Sequence, residues 1–268
     1  MLYIISTPIG NLKDITHRAI DVMAQCSYIL CEDTRVSRVL LDRYNIKKKL
    51  ISFHKYSEIK LQKKILQDLK DDKIVGLISD AGTPLISDPG QNLVKSCYKE
   101  NIKVEAIPGA SSVIQALVLS GFDTKTFQFL GFLSKKENEL NFQIKKMLFF
   151  DGTSIAFESA KRVLKTTQKI ALLDPNRNVA ILKEMTKKFE KRICMKAHEM
   201  ENYLKNNPLK GEIVIAIEKG ELLHDISIEE CVKLLQSLYG LSLKEAIKMG
   251  ANLKNISKKI VYKKFKVK

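Results

Sequence analysis

Residues 74–90 read Ile74-Val75-Gly76-Leu77-Ile78-Ser79-Asp80-Ala81-Gly82-Thr83-Pro84-Leu85-Ile86-Ser87-Asp88-Pro89-Gly90. The opening run is short, apolar and bounded by turn residues, which predicts a buried strand. From Ser79 onward, two Gly, two Pro, two Asp and a Thr fall within twelve residues. Pro fixes φ and Gly reaches conformations closed to other residues, so this is the composition of a structured loop, not of a flexible linker. Small side chains let the backbone approach a bound molecule, and the carboxylates accept hydrogen bonds from it. A purely structural reading makes the stretch an elaborate strand-to-helix connection with Asp88 as the helix N-cap.

The same strand–loop–helix unit repeats on either side. Strand-like runs occur at 2–6, 28–31, 50–53 and 104–107. Between them lie helical spacings: Ile15, Ala19, Val22 and Met23; Val36, Val39, Leu40 and Tyr44; Ile65, Leu66 and Leu69. Such alternation predicts an α/β fold with a parallel sheet covered by helices on both faces. Ligands of these sheets bind at the carboxyl ends of the strands. The Gly and Pro residues of this half sit there, at Pro8 and Gly10, at Gly82 to Gly90, and at Pro108-Gly109.

Three segments follow from this reading: 1–120, an N-terminal α/β domain with a parallel sheet; 121–225, a second α/β domain with a mixed sheet; and 226–268, a small basic helical module. In the second segment, strands are expected at 126–132, 154–157, 178–183, 190–196 and 212–218, and helices near 137–149, 160–168 and 197–206. In the third, Ser227 caps a helix with apolar positions Cys231, Leu234, Leu235 and Leu238, and Gly240 ends it. Ser242 caps 243–249 with Glu245 at the capping-box position, Gly250 and Asn252 make a turn, and Ser257 opens a Lys-rich end. Three short helices with tight turns are similar to a helix-turn-helix module; the alternative is a helical cap that merely packs on the core.

Composition narrows the partners. The 268 residues carry 46 Lys+Arg against 30 Asp+Glu, a net charge of +16, and 45% are hydrophobic. A chain this apolar buries a core, so an intrinsically disordered protein is excluded. The excess charge is +4 over residues 1–120, +5 over 121–226 and +7 over the last 42 residues. A uniform lysine bias would spread it evenly, so the C-terminal segment reads as an electrostatic foot for a polyanion such as nucleic acid. The longest apolar runs fall far short of the ~18 residues that span a bilayer, so no membrane association is expected. The first residues lack a basic n-region, which argues against a signal peptide. Cys26, Cys31, Cys97, Cys194 and Cys231 are odd in number and form no CxxC pair. This fits a reducing cytoplasm and neither a disulfide framework nor a zinc site.

Three further motifs stand at strand ends. Thr7-Pro8-Ile9-Gly10-Asn11 offers a tight turn. Ile107-Pro108-Gly109-Ala110-Ser111-Ser112 enters a helix through small residues, where free N–H groups await a ligand, or where a serine simply caps. Cys31-Glu32-Asp33-Thr34-Arg35 crowds acid, hydroxyl and base together; structurally, Asp33 or Thr34 would cap the next helix and Arg35 would pair with Glu32. No stretch reads as a P-loop or as GxGxxG. His17, His54, His198 and His224 share no ligand spacing, and only His54, just past a strand, is retained as a site candidate.

Taken together, the four motifs at 7–11, 31–35, 79–90 and 107–112, in this order, resemble the RsmI family of ribosomal RNA small-subunit methyltransferases in the tetrapyrrole-methylase superfamily. The likeness continues in Gly131-Phe132-Leu133, Phe157-Glu158-Ser159, Lys183-Glu184-Met185-Thr186-Lys187 and Lys210-Gly211-Glu212, and so spans nearly the whole chain. The resemblance implies two α/β domains with a cofactor cleft between them and S-adenosylmethionine as methyl donor. It implies transfer to the ribose 2′-oxygen of a cytidine in the decoding region of 16S rRNA, whether in naked rRNA or in the small subunit, by a homodimer. Pro8, Gly10, Gly82, Thr83, Ser111 and Ser112 would line the cofactor from one domain, Phe157 and the backbone near Lys183 from the other. Two departures stand out. Ala160-Lys161 replaces the family's usual Pro and His, and His54-Lys55-Tyr56-Ser57-Glu58 departs from its HxHNE. For the chemistry, Asp33 or Glu32 is the expected base near the acceptor, with Arg35 holding a phosphate. The alternatives are a small-molecule methyltransferase acting on a tetrapyrrole, which has no need of a basic tail, and a non-catalytic RNA-binding assembly protein, which has no need of the small-residue loops.

Overall fold

The computed structural model describes residues 1–220 and 226–265. It packs as two units, residues 1–115 with 184–190, and residues 116–183 with 191–268. In the first unit, strands β1 (Leu2–Ile5), β2 (Tyr28–Cys31), β3 (Leu50–Ser52), β4 (Val75–Ile78) and β5 (Val104–Ile107) alternate with helices α1 (His17–Gln25), α2 (Thr34–Arg43), α3 (Lys55–Lys70) and α4 (Gln91–Lys99); α5 (Ser112–Ser120) follows β5. The strands form one sheet in the order β3-β2-β4-β1-β5, all parallel.

Alternation along the strands divides the core between two faces. Leu2, Ile4, Tyr28 and Leu30 pack with Ile65, Leu66 and Leu69 of α3 and with Leu93 and Cys97 of α4. Ile5, Ile29 and Cys31 pack with Ala19, Val22 and Met23 of α1 and with Leu41 of α2. Each such fully buried aliphatic side chain stabilises the fold by roughly 1.5–3 kcal/mol before entropy is counted. Helix α2 corrects one expectation. Its buried positions are Ser37, Leu40 and Leu41, while Val36 and Val39 stay 46% and 61% exposed. Once Leu41 enters the cluster with Ile29 and Ile46, the 3.6-residue period turns positions 36 and 39 outward.

The second unit is built on strands β6 (Phe127–Phe132), β7 (Thr153–Ser159), β8 (Asn178–Lys183), β9 (Lys191–Lys196) and β10 (Glu212–Ile217) with helices α6 (Glu137–Leu148), α7 (Val163–Leu173) and α8 (Ala197–Asn206). Its sheet runs β6-β7-β10-β8-β9 and is mixed: β6 and β7 are parallel, and the remaining pairs antiparallel. Helix α7 starts at Val163, not at residue 160, because residues 160–162 turn first.

Three helices close the chain, α9 (Ile228–Tyr239), α10 (Leu243–Leu253) and α11 (Lys258–Lys264). Capping boxes Ser227/Glu230 and Ser242/Glu245 start the first two. Gly240, at φ 64°, ends α9 in the left-handed region. The turn expected at Gly250-Asn252 is absent. The helix continues to Leu253, and the left-handed residue is Asn255. Gly250 serves packing instead: a Cβ there would stand 3.3 Å from both Ile228 and Val232, so the bare backbone lets α9 and α10 approach. The module is not free of its unit. Phe149, just past α6, packs against its core, and the Lys146 ammonium lies 5.9 Å from the Tyr239 ring centroid. No helix among the described residues is long and apolar enough to cross a membrane.

Candidate functional site

Because β4, β1 and β5 are neighbours in a parallel sheet, the loops at their carboxyl ends emerge side by side. Hydrogen bonds fasten them to one another. Thr7 and Gly82 exchange two backbone bonds, the Thr7 N–H donating to Gly82 O at 2.9 Å and the Gly82 N–H to Thr7 O at 3.1 Å. The Thr7 hydroxyl donates to Ser79 O at 3.1 Å and the Ser79 hydroxyl to Gly82 O at 3.0 Å. The Ser6 hydroxyl donates to Thr83 Oγ1 at 3.2 Å, and that hydroxyl donates in turn to Ala110 O at 3.1 Å. This relay runs across all three loops. At about 1 kcal/mol net per bond, the set fixes loop positions that composition alone leaves open.

Two glycines are required by this geometry. Gly82 lies at φ +83°. Gly90 lies at φ +120°, where a Cβ would stand 2.6 Å from Leu77 Cδ2 and 2.7 Å from Leu85 Cδ2. Leu85 and Ser87 hold φ of 73° without being glycine, so the loop stores strain of about 1–3 kcal/mol at each. Gly90→Ala is therefore expected to destabilise the protein by roughly 1–3 kcal/mol through strain and overpacking together. Chemical denaturation would show this as a lower midpoint at unchanged slope.

The loop after β1 meets a segment from far along the chain. Residues 184–190 pack on the first unit, and the Asn11 N–H donates to Thr186 Oγ1 at 3.0 Å. A Cβ on Gly10 would stand 2.5 Å from Lys187 Cγ and 2.8 Å from Thr186 Oγ1, so the bareness of Gly10 is used by this packing. Pro8 lies between Thr7 and Gly10 in the same turn. Ser111 and Ser112 stand half-buried at the start of α5, and the Ser111 carbonyl accepts from the Gln115 N–H at 2.9 Å.

A second group of side chains gathers where β2 and β4 end. Asp33 caps α2, its Oδ1 accepting from the Arg35 N–H at 2.8 Å. It also grips the Arg35 guanidinium through Nε (3.1 Å) and Nη2 (2.7 Å). Arg35 thus pairs with Asp33 and not with Glu32. The guanidinium and the backbone bond hold the Asp33 carboxyl down at about 2. The Asp33 N–H donates to Asp80 Oδ1 at 3.1 Å. Burial, then the charge of Asp33, raises Asp80 despite that bond. Asp88 is raised further, to about 6, by burial and by the negative charges of Glu32 and Asp80, against a hydrogen bond from Ser79. Asp88 does not cap α4: the N-cap is Gly90, with no side-chain bond. From the sequence alone both loop aspartates read only as hydrogen-bond acceptors, since desolvation is invisible in a linear sequence.

The remaining candidates are His54, Phe157 and Lys183. His54 is exposed just before α3, whose first turn holds the buried Glu58; Glu58 Oε1 accepts from the Leu93 N–H of α4 at 3.2 Å, a structural role. In the second unit, Phe157 stands edge-on to Phe129 and Phe132, with ring centroids at 4.8 and 5.1 Å. Lys183 ends β8, opposite Ile213 and Lys191.

Comparison with known proteins agrees with this architecture. Residues 1–201 match the family described as Tetrapyrrole (Corrin/Porphyrin) Methylases. The chain is 43% identical over 230 residues to a "Ribosomal RNA small subunit methyltransferase I" from Hydrogenobaculum sp., covering 85% of this chain and 99% of that protein. It is 35% identical over 268 residues to the protein of the same name from Halalkalibacterium halodurans, covering 97% and 93%. Among solved structures, a diphthine synthase superposes with a TM-score of 0.65 at 12% identity over 96% of this chain and 99% of that one. A uroporphyrin-III-C-methyltransferase from Thermus thermophilus superposes with 0.58 at 14%, over 81% and 94%; at these identities the fold alone is shared. The strand-end loops, their fastening and these relatives converge: the chain belongs to the ribosomal RNA small subunit methyltransferase I family of the tetrapyrrole methylases and is a methyltransferase.

Proposed function

We propose that this enzyme methylates the ribose 2′-oxygen of a cytidine in the decoding region of 16S rRNA, with S-adenosylmethionine as donor. The observation that carries the reading is the Ser6–Thr83–Ala110 relay, which makes one rigid surface of the three loops a methyltransferase of this family needs. That surface fits the donor. Ala81 and Ala110 project only a methyl group, so a ligand can approach the backbone there, while the Gly82 N–H and C=O are taken up by Thr7 and Ser79. The first-turn N–H groups of α5, beside Ser111 and Ser112, suit a carboxylate. Pro8, Gly10 and Thr83 shape the rest. The roles of Phe157 and Lys183 rest on family resemblance.

When bound, the donor supplies an electrophilic sulfonium methyl. The chain's own residues must align the acceptor and take its proton, because a neutral 2′-hydroxyl is a poor nucleophile. Asp33, locked to Arg35 and ionised far below neutrality, is a weak base; its geometry suits it to hold the guanidinium. Arg35 Nη1 has no hydrogen-bond partner among the described residues and serves an RNA phosphate. Proton acceptance falls to Asp88, which burial and the neighbouring Glu32 and Asp80 raise to about 6. Mass mapping of 16S rRNA with and without the gene tests the reading: one 2′-O-methylcytidine in the decoding region should disappear. An unchanged map would overturn it. Calorimetry should show S-adenosylmethionine binding without RNA; no heat of binding would instead favour a non-catalytic RNA-binding role.

A further inference from the structure

An exposed aromatic side chain on the second unit has Phe157 as its ring partner among the described residues. Phe132, the last residue of β6, is 65% exposed although it is a large apolar residue. A bulge puts it there. The β6–β7 register is regular from Phe127 to Phe129 and shifts before Phe132 pairs with Phe157, and Gly131 supplies the φ of +70° at the shift. Phe157 backs it edge-on at 5.1 Å and is itself backed by Phe129 at 4.8 Å. The next residues are pinned: the Leu133 N–H donates to Phe157 O at 3.1 Å, and Arg162 donates to Leu133 O at 3.1 Å and to Ser134 O at 2.6 Å. Arg162 is in turn held by the buried Glu158 at 3.3 Å. The platform is therefore rigid, and no rotamer change is needed to offer it.

Cations flank it on both pinned segments. Lys135 follows Ser134, and Lys161 precedes Arg162. Both are exposed, and neither meets a carboxylate within ion-pair distance among the described residues. Lys136, by contrast, is paired to Glu139. An exposed apolar face meant for a protein partner gains nothing from two unpaired lysines on the segments pinned beside it. A nucleotide gains from both features, since its base has a π-face to stack and its phosphate a charge to neutralise.

We propose that Phe132, with Lys135 and Lys161, forms a contact for single-stranded RNA, in which a nucleobase stacks on the Phe132 ring and the lysines meet the adjoining phosphates. This rests on the reading of rRNA as substrate and adds the part of the protein that grips an unpaired nucleotide.

The test uses the full-length protein and a short fluorescein-labelled single-stranded oligocytidine, read by anisotropy. Phe132→Ala and Phe132→Leu should each weaken binding about 5- to 100-fold, whereas Phe132→Trp should keep or tighten it. Leu keeps the bulk and loses the π-face, so a merely structural role would not separate Leu from Trp. Lys135→Gln with Lys161→Gln should lower the slope of log affinity against log salt by about 1.4. Thermal midpoints and S-adenosylmethionine affinity should stay at wild-type values. Wild-type RNA binding by Phe132→Leu, or a loss of S-adenosylmethionine affinity with RNA binding intact, would overturn the proposal while leaving rRNA methylation standing. A wild-type protein that binds no RNA and leaves rRNA unmethylated would overturn both.

Discussion

Asp88→Asn is expected to slow single-turnover methyl transfer by about 10²- to 10⁴-fold at neutral pH, with S-adenosylmethionine affinity retained. The substitution keeps size and hydrogen bonding and removes only the capacity to accept a proton. A base acts when deprotonated, so the wild-type rate should climb tenfold per pH unit below about 6 and level off above it. The variant should lack that inflection. Asp33→Asn should leave the inflection in place, because Asp33 is already ionised above about 2; an inflection lost in Asp33→Asn and kept in Asp88→Asn would return the base role to Asp33.

Stability gives an independent check on the same group, with a sign that runs against the usual acidic residue. The Asp88 carboxyl titrates near 3.8 in the unfolded chain and about 6 in the folded one. Between these values the folded protein binds more protons, so stability falls as pH rises through about 6. Asp88→Asn removes this dependence. Its melting temperature should exceed that of the wild type at pH 8, and the gap should close below pH 4. A variant that is more stable and less active is the outcome expected where a site holds a charge against its burial.

The second large effect concerns the C-terminal module. Lys258, Lys259 and Lys263 of α11 are exposed, whereas Lys264 is tied to Glu229 at 2.9 Å. Replacing the first three by Gln should weaken binding to 16S rRNA strongly at low salt and reduce the salt slope by about 2–3. S-adenosylmethionine affinity should not change. Substitution is the better probe than truncation, because removing the module would expose Phe149 and strip Tyr239 from Lys146. Wild-type salt dependence in the triple variant would show that the basic excess of this segment is unrelated to RNA.

Much of the first unit was legible because its signals are local. The runs at 28–31 and 104–107 became strands with the same limits, and the loops dense in Gly and Pro fell at the carboxyl ends of strands. Capping at Ser227 and Ser242 was equally readable, since a cap is decided within four residues. Errors arose where packing overrode a local pattern. Val36 and Val39 carry the hydrophobicity of α2, yet Leu41 finds the core and Ser37 is buried in their stead. Gly250 has the chemistry of a turn and serves as a helix-packing surface.

By itself, then, the sequence determined which segments are strands and helices, which loops carry small and acidic residues, and where the positive charge accumulates. Those properties are set by neighbours a few residues away. The tertiary structure alone decided that residues 184–187 close on Gly10, that the Ser6, Thr83 and Ala110 loops are tied together, and that Asp33 is locked while Asp88 is raised. These outcomes depend on groups brought together from distant positions and on the water they exclude. A carboxylate's proton affinity follows from its desolvation and the charges beside it, and neither exists until the chain has folded.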